Sequence, residues 1–158
     1  MPDIQLRNTI PTDLEHFFLF QIDEEACHLA AFMPKDHDNR EVFMKKYDKL
    51  LNDESITMRT ILVDGVIAGS VSKFVMEGDA EITYWINKPY WGQGVASTAL
   101  KQFLTIENTR PIFGHAAFDN IGSQRVMEKC GFIKIGTDHG FARARSEEID
   151  EYIYKLSS

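Results

Sequence analysis

The residues with the plainest chemical use lie together at Tyr90-Trp91-Gly92-Gln93-Gly94-Val95-Ala96-Ser97-Thr98. Two glycines and a run of small residues separate an alternating apolar stretch from an amphipathic one. The first N–H groups of a helix have no intrahelical acceptor, and the helix dipole makes that end partly positive. Glycines let the backbone turn sharply and approach a ligand closely, so such a loop can wrap an anion such as a phosphate. Taken alone, Gly-x-Gly is more simply a tight strand-to-helix connection. Two familiar phosphate loops fit poorly. A P-loop needs Lys-Ser/Thr after its last glycine, where Val95-Ala96 stands. A dinucleotide fingerprint needs a third glycine where Ser97 lies, and an acid about 20 residues on, where Phe113-Gly114-His115 stands.

The elements that would position this loop follow from hydrophobic period. Residues 3–8 alternate and predict an opening strand. Thr12-Asp13-Leu14-Glu15 predicts a capping box and a helix to about residue 21. A second helix is expected from Asp23 to Phe32, and a third from Asp38 with Glu41 as its capping partner. The third presents Phe43, Tyr47, Leu50 and Leu51 on one face. Three strands then predict an antiparallel meander: 56–63, 66–76 and 80–87. Asp64-Gly65 forms the first hairpin turn, Glu77-Gly78-Asp79 the second, and Gly69 marks a bulge or close approach. Val95, Ala96, Ala99, Leu100, Phe103 and Leu104 give the helix after the loop its period. A strand from Ile112 to Phe118, a helix capped by Asp119-Asn120 and stopped at Gly131, and strands near 132–145 and 148–157 complete the order. The strand–helix–strand unit of residues 80–118 implies a parallel crossover. The expected class is therefore α/β (α+β): a mixed, mostly antiparallel sheet of about seven strands with helices on both faces.

Composition bounds the function. The 158 residues are 44% apolar and 26% charged, which fits a single domain spanning residues 1–158. The net charge of −7 argues against nucleic acid as a partner. An acidic surface could favour a cationic substrate, but acidic proteins are common and the argument is weak. No apolar run approaches the ~20 residues of a membrane span, and the N-terminus lacks a signal-peptide pattern, so no membrane partner and a cytoplasmic location are expected. Cys27 and Cys130 form no CxxC pair and read as reduced, largely buried thiols. The five histidines show no zinc-ligand spacing, so no metal is expected.

Tyr90-Trp91-Gly92-Gln93-Gly94-Val95-Ala96 resembles the pyrophosphate loop of the GNAT acetyltransferase superfamily, Gln/Arg-x-x-Gly-x-Gly/Ala. Gly94 and Ala96 match the last two positions, and Trp91 replaces the usual Gln or Arg. That departure resembles the branch of ribosomal-protein N-terminal acetyltransferases. Asp119-Asn120-Ile121-Gly122-Ser123, running on to Glu128-Lys129-Cys130-Gly131-Phe132, resembles the superfamily's Asn-x-x-Ser…Glu-Lys-x-Gly-Phe helix. The motifs cover the C-terminal half, and the order of elements extends the resemblance to nearly the whole chain.

The resemblance implies acetyl-CoA as co-substrate and direct acyl transfer to a primary amine. It places the pyrophosphate on the loop of Trp91, Gly92, Gln93, Gly94, Val95, Ala96 and Ser97, and the pantetheine arm along the backbone of Trp85, Ile86 and Asn87. Asn120 would bond that arm, and a helix N-cap is an equal reading. Arg125 and Lys129 would reach the 3′-phosphate, although such residues are more often solvated. Glu81 is the first candidate for the base and His115 the competitor; a solvated strand residue and a structural histidine are the plain alternatives. The superfamily's acidic tyrosine would fall near Met127, so Ser123 is the substitute, with an ordinary helix-face serine the competing reading. A peptide or protein N-terminus is the acceptor modestly preferred over a small amine. A catalytically silent acyl-CoA-binding module, or a structural or nucleotide-binding domain with a chance glycine turn, are the alternatives. A monomer or a homodimer is compatible with the sequence.

Overall fold

The computed structural model describes residues 2–158. One seven-stranded sheet carries five α-helices. The strands are β1 (Ile4–Asn8), β2 (Thr57–Val63), β3 (Val66–Met76), β4 (Asp79–Ile86), β5 (Ile112–Ala117), β6 (Ile133–Ala142) and β7 (Glu147–Leu156). The helices are α1 (Leu14–Gln21), α2 (Glu24–Ala30), α3 (Arg40–Leu51), α4 (Val95–Ile106) and α5 (Ile121–Lys129). The sheet order is β1-β2-β3-β4-β5-β7-β6, with only β4 and β5 parallel. The mixed sheet and the parallel crossover therefore stand as expected.

Two layers of apolar side chains sandwich this sheet. On one face Val95, Ala99, Leu100 and Phe103 of α4, with Met127 of α5, bury Val71, Ala80, Ile82, Ile86, Ile112, Ala116 and Tyr154. On the other face α1 and α3 join through Leu14, Phe17, Phe18 and Phe43 against Met58 and Ile67. The end of α2 covers Ala117 and Ile149 with Ala31 and Phe32. Alternation along β4 thus sends Ile82, Tyr84 and Ile86 toward α4 and α5, and Glu81, Thr83 and Trp85 toward α1–α3.

Local signals account for most boundaries. Asp64 (φ 50°) and Gly65 (φ 82°) are both left-handed, as a type I′ hairpin requires. Gly131 (φ 92°) follows α5, with Phe132 N–H donating to the Met127 carbonyl and Gly131 N–H to that of Glu128. This is a Schellman stop. Two caps differ from expectation. The Asp13 carboxylate is drawn into Arg7 (2.7 and 2.9 Å), Thr60 Oγ1 (2.8 Å) and the Ile10 N–H (3.0 Å), so a 3₁₀ turn over Pro11–Asp13 precedes α1. Glu15 pairs instead with Arg40, and the Thr12–Glu15 capping box does not form. Asn39, not Asp38, caps α3 through the Val42 N–H.

The pairing of β2 with β3 slips between Ile61 and Leu62, which face Gly69 and Ile67, so Ala68 is the extra residue of a bulge. A Cβ on Gly69 would run into the backbone carbonyl oxygen of Trp85. The strand that supports the cleft can approach β3 only because this residue is glycine. Gly69→Ala is expected to lose on the order of 3 kcal/mol of stability by overpacking against backbone; a lowered urea midpoint with unchanged slope would register it.

Candidate active site

β4 and β5 pair at two positions only, Ala80 with Ile112 and Glu81 with Phe113. Beyond them β4 and β5 are unpaired with each other, while β5 stays paired with β7 on its other edge from Ile112 to Ala117. A cleft of about 1000 Å³ opens there, lined by β4, β5, the glycine loop, the start of α5, and residues of α2 and α3. The Asn87 N–H donates to the Ala68 carbonyl. Successive backbone amides of a strand face opposite edges, so Trp85 shares that β3-facing edge, while Tyr84 and Ile86 face the opening. Of the backbone positions Trp85, Ile86 and Asn87, Ile86 turns its N–H and carbonyl toward the opening. Trp85 and Asn87 turn back to β3. The Ile86 carbonyl already accepts the Trp91 indole N–H at 2.8 Å. Trp91 therefore both packs on the core and fastens the loop to the end of β4.

Gly92 (φ 75°) and Gly94 (φ 76°) hold the loop in left-handed conformations, with open space where each Cβ would stand. Gly94 is the N-cap of α4 and no side chain caps that turn; the Thr98 N–H is bonded to the Gly94 carbonyl. The N–H groups of Val95, Ala96 and Ser97 precede the first intrahelical acceptor and are left for an anion. Trp91, Gly92, Gly94, Val95, Ala96 and Ser97 line the cleft, whereas Gln93 points its amide to the Pro89 carbonyl and lies outside the lining.

At the other wall Asn120 caps α5, its Oδ1 accepting the Ser123 N–H (3.3 Å) while its amide donates to the Leu29 carbonyl of α2 (3.3 Å). Arg125 and Lys129 are exposed, line the cleft, and form no ion pair among the described residues. Met127 is buried under Gly114, where a Cβ would meet its sulfur at 2.5 Å. The position where the superfamily's tyrosine was sought is thus part of the core.

The two base candidates touch each other. His115 Nε2 lies 3.2 Å from Glu81 Oε1, and Nδ1 lies 3.0 Å from Glu151 Oε1. The hydrogen bond to Glu151, with the charges of Glu151 and Glu81, raises the His115 pKa against a smaller opposing effect of burial. An imidazolium donates from both nitrogens and satisfies both carboxylates. Burial pushes the Glu81 carboxyl up, partly offset by His115. His115 and Glu151 line the cleft; Glu81 does not, and sits behind the imidazole. Glu151 was missed in the sequence. Its signal was a carboxylate on β7 between Ile149 and Ile153, on the face that the pattern keeps apolar.

On the opposite face of the sheet, the Tyr84 hydroxyl stands 2.6 Å from Ser123 Oγ and 3.1 Å from the Ser123 carbonyl. Burial raises the Tyr84 pKa strongly, so the phenol stays protonated as a donor. Both residues line the cleft. Tyr84 had looked like one more alternating strand residue.

The described residues contain no cluster of histidine, cysteine or acidic groups able to hold a metal ion, and no helix long and apolar enough to cross a membrane. Comparison of the fold finds close likeness to RimL, a ribosomal L7/L12 α-N-protein acetyltransferase in complex with coenzyme A (18% identity, TM-score 0.80, 98% of this chain and 93% of that one). It also finds the spermidine N-acetyltransferase of Vibrio cholerae with CoA and spermine (20%, 0.81, 98% and 95%). A third is the microcin C7 self-immunity acetyltransferase MccE with acetyl-CoA and AMP (18%, 0.81, 99% and 93%). At such identities the likeness is one of fold. No curated protein matches in sequence. The model of the acetyltransferase (GNAT) domain matches residues 3–133, most of the length that carries the sheet, the glycine loop and α5, and the chain belongs to that family.

Proposed function

We propose that this GNAT acetyltransferase, working with acetyl-CoA, transfers the acetyl group to a primary amine in the β4–β5 cleft, and that a peptide α-amine is preferred to a polyamine. One observation carries the reading. The cleft has a carboxylate–imidazole–carboxylate chain on the α1–α3 side and a paired hydroxyl on the α4–α5 side. A donor bound with its pyrophosphate on the N–H groups of Val95, Ala96 and Ser97 would run between them, with Arg125 and Lys129 at its outer end and the Tyr84 and Ile86 backbone beside it.

Acetyl-CoA supplies the activated acetyl group; the chain's residues move protons and fix geometry. An α-ammonium has a pKa of about 7.7–8.0 and must lose a proton before it can attack. Glu151, on the cleft wall, accepts a hydrogen bond from that ammonium and relays its proton to neutral His115, which becomes an imidazolium held between Glu151 and Glu81. His115 can take a proton only when it is not already the imidazolium, so the network works better as pH rises. Ser123 serves the departing sulfur, and the Tyr84 hydroxyl, 2.6 Å from Ser123 Oγ and donating to the Ser123 carbonyl, holds the serine in place. The thiolate leaves readily, so this hand-off matters less than the base.

Acetyl-CoA should raise the melting temperature, since a ligand of the native state stabilises it by mass action. Gly94→Asp should abolish the shift through a carboxylate in the anion site, and Gly94→Ala should reduce it through the left-handed backbone alone. An unshifted wild type at millimolar acetyl-CoA would remove the reading. Glu81→Gln and Glu151→Gln should each lower kcat by about 10²-fold or more, Ser123→Ala and Tyr84→Phe by about tenfold at little change in acetyl-CoA KM. A titration adds an independent check. His115 has a raised folded pKa, so its ion pairs stabilise the protein fully below about 6.5, the unfolded value, and this is lost as pH rises through the folded value. The stability gap between wild type and His115→Asn should therefore narrow as pH rises above about 6.5, while wild-type kcat/KM climbs.

A further inference from the structure

The α2–α3 side of the cleft is lined largely by hydrocarbon. Leu29, Phe32 and Met33 form the α2 side, and Val42, Phe43 and Tyr47 the α3 side. Phe32 packs against Ala117 and Ile149, each two residues along its strand from His115 and Glu151. The Phe43 and Tyr47 rings stack at 4.1 Å, and Phe43 leans on Phe18 at 5.4 Å, so the aromatic wall is held by the core behind it. This wall begins beside the carboxylate–imidazole chain.

The charges on the lining do not suit a polycation. Asp119 is held in a two-pronged pair by Arg145 (2.6 and 2.8 Å), and Glu151 is bonded to His115, whose other nitrogen holds Glu81. Asp36 is the one lining carboxylate without an ion pair among the described residues, and Lys35 and Lys46 line the same wall. A polyamine or aminoglycoside would have to desolvate several ammonium groups against one free acid, two lysines and aromatic carbon, a costly exchange. A single ammonium on an apolar body needs one partner only, the Glu151 carboxylate oxygen that His115 does not contact, and its hydrocarbon leaves water against Phe32 and Tyr47.

Resting on the acetyltransferase reading, we infer that the acceptor is the α-amine of a peptide whose first residue carries a bulky apolar side chain, phenylalanine, leucine or methionine, seated between α2 and α3. The cleft is open at its mouth, so the following residues can pass out beside Lys35 and Lys46.

The test compares kcat/KM for acetyl-CoA-dependent acetylation of peptides identical but for a first residue of Phe, Leu, Gly or Asp. An Nα-acetylated Phe peptide and spermidine serve as controls. The Phe and Leu peptides should exceed the Gly peptide by about tenfold or more, and the blocked peptide should be inert. Val42→Asp lies at an exposed first-turn position of α3 where a carboxylate suits the helix dipole, so the fold should stand. It should raise KM for the Phe peptide severalfold and leave that for acetyl-CoA unchanged. Equal turnover of the Gly and Phe peptides, or spermidine used faster than either, would overturn the inference. Binding of the same peptides in the presence of CoA separates the two levels. A Phe-over-Gly preference in Kd without turnover upholds the recognition site and removes the transfer reaction, whereas turnover without that preference does the reverse.

Discussion

Two residues of parallel pairing, Ala80 with Ile112 and Glu81 with Phe113, hold β4 to β5, and nothing replaces that ladder farther along. A sheet interior left unpaired is costly because each backbone amide buried there lacks a partner. The molecule meets part of the demand locally, through the Trp91 indole on the Ile86 carbonyl, and leaves the rest at a cleft open to solvent and ligand. The other features of the site follow from this opening. Gly69 is required because β4 must press against β3 on its other edge. The glycine loop begins where β4 ends, and the antiparallel β5–β7 ladder supplies the second wall.

The opening also connects the two faces of the sheet, which elsewhere are sealed from each other by apolar layers. Strand alternation then sorts the chemistry without further design. Odd-numbered Glu81, His115 and Glu151 meet on the face of α1–α3; even-numbered Tyr84 meets Ser123 on the face of α4 and α5. The carboxylate–imidazole chain and the hydroxyl pair are thereby kept apart, on opposite sides of the gap. Neither set needs a loop to hold it, and each rests on strands or on the first turn of a helix.

The frame was legible in the sequence because its signals are local. The Asp64-Gly65 turn, the Asn120 cap, the period of α4 and the Gly131 stop are each set by a few neighbouring residues. Where the sequence reading failed, a partner distant in sequence decided the outcome. Asp13 is drawn to Arg7 and Thr60, and Glu15 leaves the expected capping box for Arg40. The same limit applies at the site. The glycine loop and Asn120–Ser123 could be read as segments, but the Glu81–His115–Glu151 chain spans three strands and Tyr84–Ser123 a strand and a helix. Glu81 and His115 were treated as rivals because one dimension could not show them in contact. Edge orientation is likewise hidden in the sequence: Ile86 turns its backbone to the opening, while Trp85 and Asn87 turn theirs to β3.

The side-chain amide of Asn120 joins two walls of the cleft. Its oxygen caps α5 on the Ser123 N–H, and its nitrogen holds the Leu29 carbonyl at the end of α2; Arg145 adds a second tie, from the His28 carbonyl to Asp119. A shift of α5 toward one occupant of the cleft must therefore either carry α2 along or break these bonds. In the first case the two binding sites share one mechanical degree of freedom, and linkage makes the effect reciprocal: whatever occupancy of the α5 wall contributes to affinity at the α2 wall, occupancy of the α2 wall returns in equal measure. The order in which two substrates arrive would then be a property of three side chains at the rim, set apart from the groups that do the chemistry.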